Sequence, residues 1–293
     1  MIDQFLNYLR YERTASPLTV QTYEESLREF ESYLNLRDDG LSLDKVDADL
    51  IRDWMESLMD KGNTASTIDK KLSALRSFYR FSLKRKLVEK DPAHCITGPK
   101  KSKPLPQCLR EGEMDHLLDG LEWDGYNYKD VRARTILLLL YEAGLRRSEL
   151  TGLDDEDVDF AVGQLKVTGK RNKQRIIPFG QELAEALAGF MAIRDEQVAR
   201  NSKALFLSDK GERMTGNQVY AIVHKYLTAV TSLKKRSPHV LRHTFATAML
   251  NNGAGLESIK KLLGHESVST TEIYAHTTFE QLKRVYKEAH PRA

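Results

Sequence analysis

Six side chains between residues 146 and 274 combine types and positions suited to phosphoryl chemistry. Arg146 follows Gly144-Leu145 where a helical pattern breaks, and Lys170 tips a turn between two alternating segments. His239 follows Ser237-Pro238 and opens a helical stretch, with Arg242 three positions on, one turn along the same face. His265 follows Gly264 at the end of another helical stretch, and Tyr274 comes nine residues later. Two arginines, a lysine and two histidines suit a doubly charged phosphoryl transition state. Guanidinium forks bind non-bridging oxygens bidentately, so neither metal nor cofactor is expected.

Each of these residues has a plainer competitor. Lys173 shares the turn with Lys170, and Gly169 directly before Lys170 favours the latter. His243 lies four residues after His239, a spacing that can bind zinc, but no acidic or cysteine ligand is nearby and packing is the simpler role. The chain has 12 tyrosines, and one on a C-terminal helix is ordinarily part of an amphipathic face. Cys95 and Cys108 fit neither a disulfide framework nor a metal site, so they are read as reduced thiols of a cytoplasmic protein.

The elements that must position these groups follow from periodicity. At about 150 residues per domain, 293 residues suggest two domains, and 41% hydrophobic with 30% charged residues excludes a disordered or fibrous chain. The apolar run around Ile136–Leu140 is far below the ~20 residues that cross a bilayer. The N-terminus, Met1-Ile2-Asp3-Gln4, lacks the basic and apolar regions of a signal peptide, so no membrane anchor is expected. Helices are expected over 19–34 (Val20, Tyr23, Leu27, Phe30, Leu34), 48–59 (Leu50, Trp54, Leu58) and 64–83 (Ile68, Leu72, Leu75, Tyr79), with Ser16-Pro17 opening the first. Residues 98–107, Gly-Pro-Lys-Lys-Ser-Lys-Pro-Leu-Pro-Gln, read as an extended basic linker. The expected domains are therefore 1–97 and 109–293, joined by 98–108. Beyond the linker, 131–141 reads as a buried helix, and 164–167 and 175–178 as strands of a hairpin. Further helices are expected over 181–198, 216–230, 239–252, 256–263 and about 269–288.

Charge is unevenly distributed. Residues 1–60 carry 6 basic and 14 acidic side chains, whereas 61–110 carry 13 basic and 3 acidic. Lys70, Lys71, Arg76 and Arg80 lie between the apolar positions of the third helix with almost no acid among them, which suggests a polyanionic partner and marks them as candidate DNA contacts.

Four segments together carry a family resemblance: Tyr141-Glu-Ala-Gly-Leu-Arg146-Arg-Ser-Glu-Leu150, Gly169-Lys170-Arg-Asn-Lys-Gln-Arg175, Ser237-Pro-His239-Val-Leu-Arg242-His243, and Leu263-Gly-His265 followed by Thr270-Thr-Glu-Ile-Tyr274. In order and spacing they resemble the tyrosine recombinase (phage integrase) family. The closing His290-Pro291-Arg292-Ala293 resembles the cellular Xer site-specific recombinases in particular. Any one of these strings is weak alone; the ordered set is specific, covers nearly the whole chain and nowhere departs from the family pattern.

The resemblance implies a mainly α, two-domain fold: an N-terminal helical, DNA-clamping (SAM-like) domain and an α-rich catalytic domain with a small antiparallel β-sheet. It implies that Tyr274 attacks a DNA phosphodiester and is joined to the 3′-phosphate, releasing a 5′-hydroxyl. Arg146 and Arg242 would hold the non-bridging oxygens, Lys170 protonate the leaving oxygen, His239 act as acid/base and His265 hydrogen-bond the phosphate. Glu149 would orient the arginine. The implied partner is double-stranded DNA in a four-subunit synapse of two sites, with or without a second related recombinase. A C-terminal stripe (Phe279, Leu282, Val285, Tyr286, Ala289) would dock on a neighbouring subunit in the synapse and on its own domain in a lone chain. Chromosome dimer resolution is the expected role. Integration of a mobile element is the alternative, ahead of a type IB-like topoisomerase or a regulator that no longer cuts.

Overall fold

The computed structural model describes residues 1–37, 41–101, 107–169, 172–264 and 279–292. The chain divides into two compact units, Met1–Pro104 and Leu105–Ala293, split within the basic proline-rich stretch.

The first unit is all helical: α1 (Ile2–Asn7) continues into a π-helical turn (Tyr8–Glu12) and is followed by α2 (Pro17–Arg37), α3 (Ala48–Asp60) and α4 (Ala65–Lys84). Asp47 and Thr64 cap α3 and α4 by accepting from the Leu50 and Thr67 backbone amides, satisfying donors that a helix start leaves orphaned. Leu27, Phe30 and Leu34 of α2 meet Leu72, Leu75 and Phe78 of α4 in one core. The buried face of α3 is Ile51, Trp54, Met55 and Leu58. Leu50, expected in that face, is only half-buried beside it. Sequence periodicity also passed over α1, whose Ile2, Phe5 and Leu6 are buried in the same core.

In the second unit α6 (Tyr128–Glu142) is the central rod. Ile136–Leu140 are buried without exception because α8 (Gln181–Gln197) and α10 (Pro238–Asn251) pack on it. Such a helix needs no polar face. Around it lie α5 (Glu111–Leu118), α7 (Arg147–Gly152), α9 (Gly216–Val230), α11 (Leu256–Leu263) and α12 (Phe279–Ala289). A 3₁₀ turn, Asp155–Asp157, leads into the three-stranded antiparallel sheet β1 (Val158–Asp159), β2 (Gln164–Thr168) and β3 (Gln174–Pro178). Leu165 faces Ile177, and Val167 faces Arg175. The short elements α5, α7 and β1 were not anticipated: each spans eight residues or fewer, too little for periodicity to register.

The tail helix α12 rests on its own domain. Tyr286 and Ala289 are buried, the Tyr286 hydroxyl donates to Glu142 Oε2 at 3.1 Å, and Asn252 Nδ2 donates to the Ala289 carbonyl at 2.9 Å. Beyond it, Arg292 pairs with Glu182 at 2.7 Å, Asp115 at 3.1 Å and Asp119.

Candidate active site

Of the residues singled out from the sequence, Arg146, His239 and Arg242 are described, and Lys170, His265 and Tyr274 lie outside the described residues. Arg146 is set by the turn from α6 to α7. Gly144 has φ +57°, and a Cβ there would sit 2.6 Å from Phe245 and 2.9 Å from Leu263, so only glycine makes this turn. Leu145 then plugs the core, and Arg146 emerges as the N-cap of α7 with a half-buried guanidinium.

Glu149 is the hub. One helical turn beyond Arg146, it accepts the Arg146 backbone N–H at 2.9 Å and Arg146 Nη1 at 2.7 Å. Arg175, reaching across from β3, forks onto both carboxylate oxygens at 2.9 and 2.8 Å. Arg242 Nη1 stands 3.8 Å from the same carboxylate. Burial alone would raise the Glu149 carboxyl; the Arg175 fork first, and then Arg146, outweigh it and hold the group at about 2. It is thus an anion throughout the working pH range.

Arg242, almost wholly buried on α10, donates to the carbonyls of Gly144 at 2.6 Å and Leu263 at 2.7 Å. Burial and then the neighbouring Arg146 push its guanidinium down to about 10, still protonated at neutrality. Three guanidiniums around one carboxylate leave a net charge of +2. That is a site built for an anion.

His239 sits in the first turn of α10, on the solvent side. Partial desolvation, then His243, Arg242, Arg147 and Arg146, lower its imidazole below the usual range, so it is neutral at pH 7 and can accept a proton. Gly169, which precedes Lys170 in sequence, is oriented so that a Cβ on it would lie 3.5 Å from Glu149 Oε1. Gly264 ends α11 with φ +64° directly before His265, and its carbonyl accepts from Arg146 Nη2 at 3.1 Å. No group of histidines, cysteines and carboxylates with metal-ligand geometry occurs among the described residues.

Arg175 is the site residue that sequence reasoning passed over. The signal was strand alternation. Val167 and Ile177 are buried, and Arg175, opposite Val167 and two residues before Ile177, shares their inward face. An arginine on a core-facing strand position requires an anionic partner.

The four candidate DNA contacts of the first unit divide in two. Lys70 and Arg80 are exposed and make no ion pair or hydrogen bond among the described residues. Lys71 instead pairs with Glu29 and lies 6.0 Å from the Trp54 ring, and Arg76 donates to the Ile96 carbonyl. Periodicity locates a basic helix but does not separate side chains spent on the fold from those left outside it.

Residues 107–281 match the phage integrase family, and residues 2–86 match the phage integrase N-terminal SAM-like domain. The chain belongs to the phage integrase family. It is 38% identical to a tyrosine recombinase XerC of Pelotomaculum thermopropionicum, over 100% of this chain and 98% of that one. It is 35% identical to a tyrosine recombinase XerD of Staphylococcus epidermidis, over 100% and 99%. Among solved structures, the XerH site-specific recombinase bound to a palindromic difH substrate, a post-cleavage complex, aligns with a TM-score of 0.73 and 22% identity, over 98% of this chain and 81% of that one. The Tn1549 transposon integrase in complex with transposon right-end DNA aligns with a TM-score of 0.72 and 21% identity, over 98% of both chains. This phage integrase family member is a tyrosine-type site-specific recombinase with the two-domain, mainly helical fold of these structures. Among the described residues, no helix is long and apolar enough to cross a membrane.

Proposed function

We propose that this recombinase cuts and rejoins double-stranded DNA through a 3′-phosphotyrosyl intermediate at Tyr274. The observation that carries the reading is the +2 cluster: Arg146 and Arg242 are both anchored around the buried Glu149 anion, with neutral His239 in the same site. A phosphodiester carries one negative charge and its pentacoordinate transition state two, so the excess cation count matches the transition state better than the ground state. A free tyrosine hydroxyl, with a pKa near ~10, is a weak nucleophile at neutrality. His239 takes its proton, the Tyr274 oxygen bonds to phosphorus, and the 5′-oxygen leaves with a proton from Lys170. His265 hydrogen-bonds the phosphate. Built-in positive charge fills the role a metal clamp serves elsewhere, and the phosphotyrosyl ester keeps the bond energy, so religation needs no ATP.

Full-length identities of 35–38% to proteins named XerC and XerD support resolution of chromosome dimers by four subunits on two DNA sites, alone or with a second recombinase. Lys70 and Arg80 would contact phosphates from the N-terminal unit. Incubation with a nicked site tests the reading. A covalent protein–DNA adduct is expected, and two-site substrates should yield Holliday junctions. Adducts without junctions would indicate a topoisomerase; neither product would indicate a DNA-binding regulator. Mapping occupancy across the genome separates the biological roles: one site near the replication terminus fits dimer resolution, and a site at the end of an element fits integration.

A further inference from the structure

Three arginines grip the end of α11 on consecutive carbonyls. Arg175 Nε donates to Leu262 at 2.7 Å, Arg242 Nη2 to Leu263 at 2.7 Å, and Arg146 Nη2 to Gly264 at 3.1 Å. The last carbonyls of a helix are orphaned and carry its negative dipole end, so cations there are well placed. The next residue in sequence is His265. Arg146 and Arg242 have the phosphate as their second task, but the Arg175 fork is committed to Glu149 and its side chain is only 13% exposed. We propose that Arg175 is a positioning residue for the transfer reaction, fixing both the Arg146 guanidinium and the Leu262–Gly264 lead into His265. This rests on the phosphotyrosyl reading above.

The physical case is a charge count joined to a geometry. With Arg175 in place, Glu149 is neutralised by a side chain that does not touch the substrate, and the charges of Arg146 and Arg242 are left for the transferring phosphate. Without it, the Glu149 anion has Arg146 as its nearest counter-charge, at 2.7 Å, and draws that guanidinium toward itself. The excess positive charge falls to +1 just where a second negative charge develops. Lysine cannot replace the arginine, because a single ammonium cannot span both carboxylate oxygens and the Leu262 carbonyl in one plane. A structural role alone, pinning β3 to α11, would predict loss of stability with no preference for the charge of the substrate.

The test compares single-turnover cleavage of a phosphodiester site with that of the same site carrying a neutral methylphosphonate at the scissile position, which needs one cation fewer. Arg175→Gln should bind DNA normally and cleave the phosphodiester about 10²-fold more slowly than wild type. On the methylphosphonate the deficit should shrink to about threefold, as it should for Arg146→Gln. If Arg175→Gln fails to fold, Arg175→Met, which removes the same charge, undergoes the same comparison. An equal deficit on both substrates, or none on either, overturns the inference. The control separates the layers: if Arg146→Gln cleaves the phosphodiester normally, the phosphotyrosyl reading fails; if Arg146→Gln is rescued and the Arg175 variant is not, this inference alone fails.

Discussion

Glu142 offers a prediction with a sign and a size. It closes α6 two residues before Gly144, wholly buried beneath the tail helix, with Oε2 accepting from Tyr286 at 3.1 Å. Burial first, then Glu182, raise its carboxyl to about 8, against the Tyr286 hydrogen bond and the charges of Arg292 and Arg134. Unfolded, the same group titrates near ~4.3. The folded state therefore holds a proton that the unfolded chain has given up, and stability falls as pH rises from the unfolded value through about 8. Below ~6.5, His290 acts in the opposite direction: burial lowers it to about 4, and its neutral folded form loses stability as pH falls. The window above pH 7 is thus the clean one. There the two Glu142 values imply a loss of about 1 kcal/mol between pH 7 and 9. Glu142→Gln, which does not titrate, should be spared it. Urea unfolding in a Trp54→Phe background, with Trp123 reporting on the catalytic unit, measures the stability gap between chains with and without the Glu142→Gln change. A gap that stays constant from pH 7 to 9 would refute the reasoning.

Further outcomes rest on the same structure. Gly144→Ala should destabilise the catalytic unit by ~2–5 kcal/mol, from left-handed strain plus overpacking against Phe245 and Leu263; calorimetry checks it, and a loss under 1 kcal/mol would contradict it. Neutralising Lys70 and Arg80 should flatten the salt dependence of DNA binding by up to ~0.9 for each phosphate these side chains neutralise, whereas neutralising Lys71 should chiefly weaken the N-terminal unit by ~0.5–1 kcal/mol. Equal salt slopes for the two changes would count against dividing the basic helix this way. Deleting residues 278–293 should leave single-site binding largely intact but abolish ordered exchange between two sites. The same deletion should lower the unfolding midpoint, since it removes Tyr286 and the Arg292 ion pairs; recombination at the normal rate would assign the tail to packing alone.

Long periodic helices were legible in the sequence because burial imposes a repeat on them. Leu27, Phe30 and Leu34, and Ile68, Leu72 and Leu75, lie in the core where spacing puts them. The α3 face shows where that reasoning thins: Leu50 and Ile51 both adjoin Trp54 within one helical turn, and only the neighbouring helices decide which is covered. Arg146, His239 and Arg242 were legible as members of an ordered motif set. The joint anchoring of the two arginines on Glu149, Gly144 and the end of α11 was not, since it joins positions up to 118 residues apart. Arg175 is the instructive case. Its place on the inward side of β3 called for a partner, but pairing it with Glu149, 26 residues earlier, needed the fold.

The central claim is tested most directly by trapping the intermediate. Wild-type protein, incubated in EDTA without ATP on a nicked cognate site, should become covalently attached to DNA, and peptide mapping should find the phosphoryl linkage on the Tyr274 oxygen. Tyr274→Phe should bind the same site with near-normal affinity and form no adduct, because only the attacking oxygen is lost. An adduct formed by Tyr274→Phe, a linkage mapped to another residue, or cleavage that strictly requires Mg²⁺ would contradict the account.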